Sequence, residues 1–419
     1  MTNNVERASR GKRSRRAKVV AATLAISVIA AAAAAGWYSF LGPVSVKVVK
    51  AFPDPFLFAN GTRASTPGQW EARREEIRTL LLELEYGTVP GRPDALKVGL
   101  VGTQQLEFCT LEELTFTVVP HNASPALSFN FSAWAYVPPG PGPFPAVVKV
   151  SPDGTGSQEP AAREVAGRGF LYVCFQHIDL DPDTRGSDEV GPAQAAYPAY
   201  SWGSLATWAW GAMRVADYLV GEPWVSADRF LNADPSRLVV TGHSRRGKAA
   251  LLAGALDERF AMTAPSGSGC GGAGSFLVQG RGCETLASIT SPLRYRSWFK
   301  PDFSTYAHRE NELPFDQHFL RALVAPRLVF STDGLDDGWA NPLGTQAVFE
   351  ASAPVFEFLN ASKNNGARFR SGGHAYLLKD FEAVLDFANL TLLGGHPPGD
   401  FYQRPFEFDF PIPYSAPSG

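Results

Sequence analysis

Two glycines bracket a serine at the junction of a strand-like and a helix-like run in 237–256, RLVVTGHSRRGKAALLAGAL. The first half is Leu, Val and Thr, as buried strands require, and the second half is Ala- and Leu-rich at helical spacing. Only 242–247 is left to turn the chain, so the helix must fold straight back onto the sheet that the strand belongs to. The same alternation continues on both sides. Strands are predicted over 145–150, 170–175, 237–241, 259–264, 327–331 and 367–370. Helices are predicted over 158–168, 202–219, 248–256, 316–324 and 376–390. Strand–helix alternation with short connections implies a mainly parallel sheet with helices on both faces, the three-layer α/β class. Ahead of it, an amphipathic helix is predicted over 69–86, with Ile77, Leu80, Leu81 and Leu84 on one face, and short β-type runs over 96–137. The long helix over 202–219 carries Trp208, Trp210 and Met213, which at helical spacing belong to the core.

A turn this tight forces backbone segments together, so glycine at 242 and 247 removes side-chain clashes and residue 244 is thrust into the open at the C-terminal edge of the sheet. The helix that starts behind Ser244 offers unpaired N–H groups that can stabilise an oxyanion. The spacing departs from G-x-S-x-G, because Arg246 stands where the second glycine would be, and the segment alone also fits an ordinary strand-to-helix turn. The order of the remaining candidates favours catalysis. α/β-Hydrolases present Ser, then an acid, then His along the chain. After the strand 327–331, TDGLDDGW offers Asp333, Asp336 and Asp337, two of which would be solvated loop acids. After the strand 367–370, the glycines of FRSGGHAYL free a loop to bring His374 in as the general base. His121, His308 and His396 read as surface residues and His318 as structural.

The N-terminus is basic from Arg7 to Lys18 and apolar from Val19 to Leu41. That is the pattern of a signal peptide, cleaved near Ala33 and Ala35, or of an uncleaved signal anchor, which would leave a membrane tether. Either reading puts the catalytic part outside the cytoplasm. Five N-x-Ser/Thr sites, at Asn60, Asn122, Asn130, Asn360 and Asn389, agree with export and glycosylation. The four cysteines, Cys109, Cys174, Cys270 and Cys283, permit disulfides there, with Cys270–Cys283 favoured by proximity in sequence. No CxxC spacing points to a metal, and a net charge of -3 without long charged blocks beyond the N-terminus argues against nucleic acid as a partner. The division expected is 1–45 basic tail and apolar segment, 46–68 linker, 69–400 catalytic domain and 401–419 tail.

The segments GHSRRGKAALLAGALDERFAMT, SGCGGAG, LPFDQHFLRALVAPRLVF, DDGWANP and GGH resemble the glucuronoyl esterases over about 134–393. These are α/β-hydrolases that cleave the ester between 4-O-methyl-glucuronic acid on xylan and lignin alcohols. The family's pattern of Ser, Arg, two residues and Lys is matched by Ser244, Arg245, Gly247 and Lys248. The resemblance implies that Arg245 helps hold the oxyanion, that Lys248 hydrogen-bonds sugar hydroxyls, and that Glu284 and Trp339 line a uronate pocket. Without it, Lys248 would be a helix-surface cation and Trp339 a packing residue. One departure matters: many members carry the acid as glutamate in a Pro-x-Glu-Ser context, and here 265–268 reads Pro-Ser-Gly-Ser. Gly267 has no carboxylate, so the acid must come from the later loop, where Asp337 fits best, Asp333 next and Asp336 last. A monomeric serine esterase needing no metal or organic cofactor is expected, with a carbohydrate ester as substrate. An esterase for another carbohydrate ester such as acetyl-xylan, and a non-catalytic glycan-binding ectodomain, are the alternatives.

Overall fold

The computed structural model describes residues 46–121, 127–153, 158–186, 189–295 and 297–418. The basic and apolar N-terminal run and Asn122 lie outside these residues. From Lys47 onward the chain forms one compact unit. Its strands are β1 (Ala95–Gln105), β2 (Thr110–Val119), β3 (Phe129–Val137), β4 (Phe144–Ser151), β5 (Leu171–Gln176), β6 (Val225–Ala227), β7 (Ala233–His243), β8 (Phe260–Ser266), β9 (Leu328–Gly334) and β10 (Asn365–Arg370). Among the described residues they make a ten-stranded sheet in the order β10-β9-β8-β7-β4-β5-β3-β2-β1-β6. The half from β10 to β5 is parallel throughout, while β5, β3, β2 and β1 pair antiparallel. A short pair, Lys47–Val48 with Val278–Gln279, lies apart from it.

Alternate residues of the parallel strands feed two cores. Ala146, Val148, Val150, Val173, Phe175, Leu238 and Val240 face one cluster, and Val147, Tyr172, Cys174, Val239 and Phe330 face the other. This period of two with both faces apolar marks strands covered on both sides. The first face is covered by α1 (Pro67–Leu81), α3 (Ser204–Val220), α4 (Arg245–Leu256) and α5 (Gln317–Ala322), and the second by α2 (Glu159–Gly167) and α7 (Leu378–Leu392). Trp208 and Trp210 are fully buried in the first core, as helical spacing predicts. A helix absent from the sequence reading, α6 (Pro342–Phe358), follows β9. It is buried over most of its circumference and contains Pro354, so it has neither an amphipathic period nor the composition that marks helices.

The stretch 46–68, read as a linker, lies against the domain with Phe52, Phe56 and Ala64 buried. The tail also packs: Phe401 and Phe410 are buried, and Phe401 O accepts from Ala367 N at 2.8 Å at the β10 edge. The expected Cys270–Cys283 bridge does not form, and both thiols are free. Cys270 is enclosed in the core, where burial pushes its thiol well above its ordinary range, while Cys283 lies part-exposed in a turn. Asn60, Asn130 and Asn360 are exposed and Asn389 is half-buried. Among the described residues no helix is long and apolar enough to cross a membrane.

The position of α4 on the sheet rests on a close approach at Gly254, where an added Cβ would lie 1.9 Å from Thr263 Oγ1 of β8. Overpacking of this kind costs about 1–3 kcal/mol. Gly254→Ala is therefore expected to lower stability by that amount in chemical denaturation, and an unchanged midpoint would show that this contact does not set the helix.

Candidate active site

Ser244 ends β7 and starts α4 with φ 59° and ψ −130°, a backbone conformation that L-residues other than glycine rarely hold. The strain is maintained by the surroundings. A Cβ on Gly242 would sit 2.3 Å from Arg246 O, and one on Gly247 would sit 2.9 Å from both Gly242 O and the Ser268 Cβ. Glycine at 247 thus does what the second glycine of G-x-S-x-G does, one residue later. Ser244 N donates to Ser266 O at 2.9 Å on β8, and Ser244 O accepts from Gly247 N and Lys248 N. The N–H groups of Arg245 and Arg246, at the first turn of α4, have no intrahelical acceptor.

His374 Nε2 lies 2.9 Å from Ser244 Oγ, and His374 Nδ1 lies 2.6 Å from Asp337 Oδ2. The remaining Asp337 oxygen, Oδ1, accepts from Ala340 N at 3.0 Å, and the carboxylate is 3% exposed. The three aspartates of the loop therefore have separate jobs. Asp336 accepts from Gly372 N at 2.8 Å and ties the acid loop to the histidine loop. Asp333 is buried, accepts from Thr345 Oγ1 at 3.3 Å, and burial together with the Asp337 charge pushes its carboxyl well above the usual range. Arg370 braces the other side of the histidine loop, with Nε on both oxygens of Asp380 at 2.7 and 2.9 Å and its Nη groups on the carbonyls of Gly373 and Ala375. Gly267, where a glutamate would stand, lies alongside: its Cβ would be 3.0 Å from His243 Cε1 and 3.6 Å from Asp337 Oδ2.

Sequence reasoning passed over His243 and the Asp183 cluster, whose partners are set only by the tertiary fold. His243 stacks on Tyr376 at 5.7 Å and lies against His374 at 4.6 Å with the rings tilted by 40°. Burial, the neighbouring His374 and Arg246 hold it down at about 3, so its ring is neutral. Asp183 Oδ2 sits 2.6 Å from Arg245 Nε, in charge contact although the N–H is not aligned for a hydrogen bond. The Arg245 guanidinium also lies over Trp298 and Tyr295, at 5.4 and 5.7 Å. Asp183 Oδ1 accepts from Trp298 Nε1 at 3.2 Å. Burial raises the Asp183 carboxyl, but His177 and Arg245 more than offset this and it ends below its ordinary value.

Lys248 is not on the helix surface. It is 1% exposed, and its ammonium donates to Ser268 O at 2.6 Å, Cys270 O at 2.5 Å and Glu284 Oε1 at 2.5 Å, which uses all three protons. Glu284 is likewise buried, and its backbone N donates to Trp339 O at 2.9 Å. The lysine thus fixes the glutamate, and in this arrangement it has no proton left for a sugar hydroxyl. Trp339 is half-buried, with Arg294 over its ring at 5.7 Å. Ser244, His374, Arg245 and Trp339 line one cleft of about 590 Å³, together with Arg185, His243, Arg246, Arg294 and Tyr295. Among the described residues no cluster with metal-ligand character occurs.

The sequence model of the fungal glucuronyl esterases matches residues 122–360. A 4-O-methyl-glucuronoyl methylesterase of Podospora anserina is 31% identical over 75% of this chain and 61% of its own length, so the chain spans less than two thirds of that relative. A carbohydrate esterase family 15 glucuronoyl esterase from Caldicellulosiruptor kristjansonii is similar in structure, with TM-score 0.75 and 30% identity over 88% of this chain and 98% of that one. A glucuronoyl esterase variant from Sporotrichum thermophile, in complex with methyl 4-O-methyl-β-D-glucopyranuronate, has TM-score 0.71 and 27% identity over 87% and 94% of the two chains.

Because Asp337 alone of the three loop aspartates bonds His374, Asp337→Asn is expected to lower kcat for ester hydrolysis by about 10³- to 10⁴-fold. Asp333→Asn should leave kcat within about tenfold. Equal losses in steady-state assays of the two variants would show that the carboxylates share the role.

Proposed function

The chain belongs to the glucuronyl esterase family, and on that premise we propose that it hydrolyses esters of 4-O-methyl-glucuronic acid in plant-type cell-wall polysaccharide, with Ser244 as nucleophile. The observation that carries the reading is the continuous hydrogen-bond chain from Asp337 through His374 to Ser244, at a strained serine facing an open cleft. His374 Nε2 accepts the Oγ proton as Oγ attacks the ester carbonyl carbon, and Asp337 keeps the other ring N–H aligned. The N–H groups of Arg245 and Arg246 and the Arg245 guanidinium receive the oxyanion, a charge that exists only beyond the ground state. The alcohol leaves with the proton from His374, and water repeats the sequence on the acyl-enzyme to release the acid. Trp339 lines the cleft and contacts the sugar, whereas Glu284, expected in the pocket lining, is buried, paired with Lys248 and bonded through its backbone N–H to Trp339 O, so this pair positions Trp339.

The bound methyl 4-O-methyl-glucopyranuronate of the Sporotrichum relative supports a uronate ester as the substrate class. The basic and apolar N-terminal pattern supports delivery of the catalytic unit outside the cytoplasm, where such a polymer is found, by cleavage or as a tether.

Purified protein is expected to hydrolyse benzyl glucuronate faster than acetylated xylan, and Ser244→Ala to lose at least about 10³-fold in kcat. Faster release of acetate would make it an acetyl esterase. Full activity in Ser244→Ala would reject the nucleophile.

A further inference from the structure

The cleft above Ser244 has a charge composition that hydrolysis of a neutral ester does not explain. Among the described residues four guanidinium groups line it, from Arg185, Arg245, Arg246 and Arg294, and no carboxylate does. Arg245 has its counter-charge in Asp183 at 2.6 Å. Arg185, Arg246 and Arg294 have no carboxylate within ion-pair reach among the described residues. Arg185 donates to the Tyr295 hydroxyl at 3.2 Å and lies over the Tyr295 ring at 5.6 Å, while Arg294 lies over Trp339. Arg246 is half-buried and its Nε has no hydrogen-bond partner; burial and the Arg245 charge push its guanidinium down to about 10, and the charges of Asp183 and Asp153 offset this only in part. Other enclosed cations of this molecule are satisfied, by carboxylates as Lys248 is by Glu284, Arg370 by Asp380 and Arg259 by Asp257 and Asp217, or by a full set of neutral acceptors as Arg321 is by Asn365, Ser331 and Gly366 O. A group of like charges around a concave site that outnumbers its counter-charges repels itself and attracts an anion.

Resting on the esterase reading above, we propose that this cleft contains an anion subsite, formed by Arg185, Arg246 and Arg294, that takes a second, unesterified uronate carboxylate of the same polysaccharide. The oxyanion that develops at the ester carbonyl is a single charge and is assigned to Arg245 and the helix N–H groups, which leaves the other three guanidinium groups in excess of it. A planar carboxylate matches the fork of a guanidinium and makes two charge-assisted hydrogen bonds to it. The two exposed arginines, Arg185 and Arg294, flank the entrance, and Arg246 lies deeper, next to the nucleophile. The subsite selects for esters embedded in acidic polymer over isolated ones.

The test uses two oligosaccharides that each carry one glucuronate benzyl ester. In one the neighbouring uronate keeps its free carboxylate, and in the other that residue is reduced to glucose. Calorimetric binding is measured on the full-length Ser244→Ala protein, and kcat/KM on the active protein. The free carboxylate is expected to improve both quantities about tenfold at low ionic strength, an advantage that about 0.5 M NaCl largely removes. In the Arg185→Gln/Arg294→Gln double variant, and separately in Arg246→Gln, the ratio between the two oligosaccharides should fall toward one. The ratio compares ligands within one protein, so a general loss of activity does not disturb it. A ratio near one in the unmodified cleft would overturn the proposal, as would a preference that survives in the variants. Variants that only relieve inhibition by the monomeric acid would show that the arginines serve the departing product, which also overturns it. If neither ester is cleaved while the binding preference holds, the esterase reading fails and the subsite stands.

Discussion

The cleft depends on a single contact, the 2.6 Å hydrogen bond between His374 Nδ1 and Asp337 Oδ2. Both residues sit on loops, which on their own are the most mobile parts of a fold. Here they are not left on their own. Parallel strands deliver β7, β9 and β10 to the same edge of the sheet, so Ser244, the acid loop and the histidine loop emerge side by side. Leu335 N on Arg370 O at 2.7 Å, Gly372 N on Asp336 and the Arg370 guanidinium on the carbonyls of the histidine loop then join the two loops into one piece. The base is therefore oriented before any ligand arrives, which is the condition under which a positioned imidazole lowers a barrier.

Electrostatics divides the site into two regions. Beneath the cleft floor, Lys248 and Glu284 are both buried and satisfied by each other and by two backbone carbonyls, an arrangement in which losing either partner leaves a buried charge uncompensated. At the rim, cations outnumber their acid partners. The first region fixes shape and the second creates a field. Between them, Asp183 holds Arg245 against Trp298 and Tyr295, so the arginine that directly follows the nucleophile in sequence has its place set by both an acid and two rings.

The layer architecture and the serine turn are legible because they follow from period and from steric necessity: apolar runs of period two, a helix immediately after, and glycine where backbones touch. The order Ser, Asp, His is legible for the same reason, since each residue follows a strand that the pattern reveals. The helix Pro342–Phe358 is not, because burial on nearly every side erases the amphipathic period and Pro354 argues against a helix. Lys248 reads as a surface cation because nothing in a helical wheel shows that the 268–270 loop folds over it. His243, Asp183 and Arg370 act through partners distant in sequence, and only the folded chain shows them. The close spacing of Cys270 and Cys283 suggests a bridge, but one thiol points into the core.

The account stands on Ser244 being an activated nucleophile rather than a strained surface hydroxyl. Timed labelling with a fluorophosphonate, followed by mass spectrometry of the peptide that contains residue 244, measures that property without assuming a substrate. The account predicts stoichiometric modification of Ser244 in the unaltered protein and labelling slowed by orders of magnitude in His374→Ala. An unreactive Ser244 in the unaltered protein, or equal labelling without the imidazole, would contradict it.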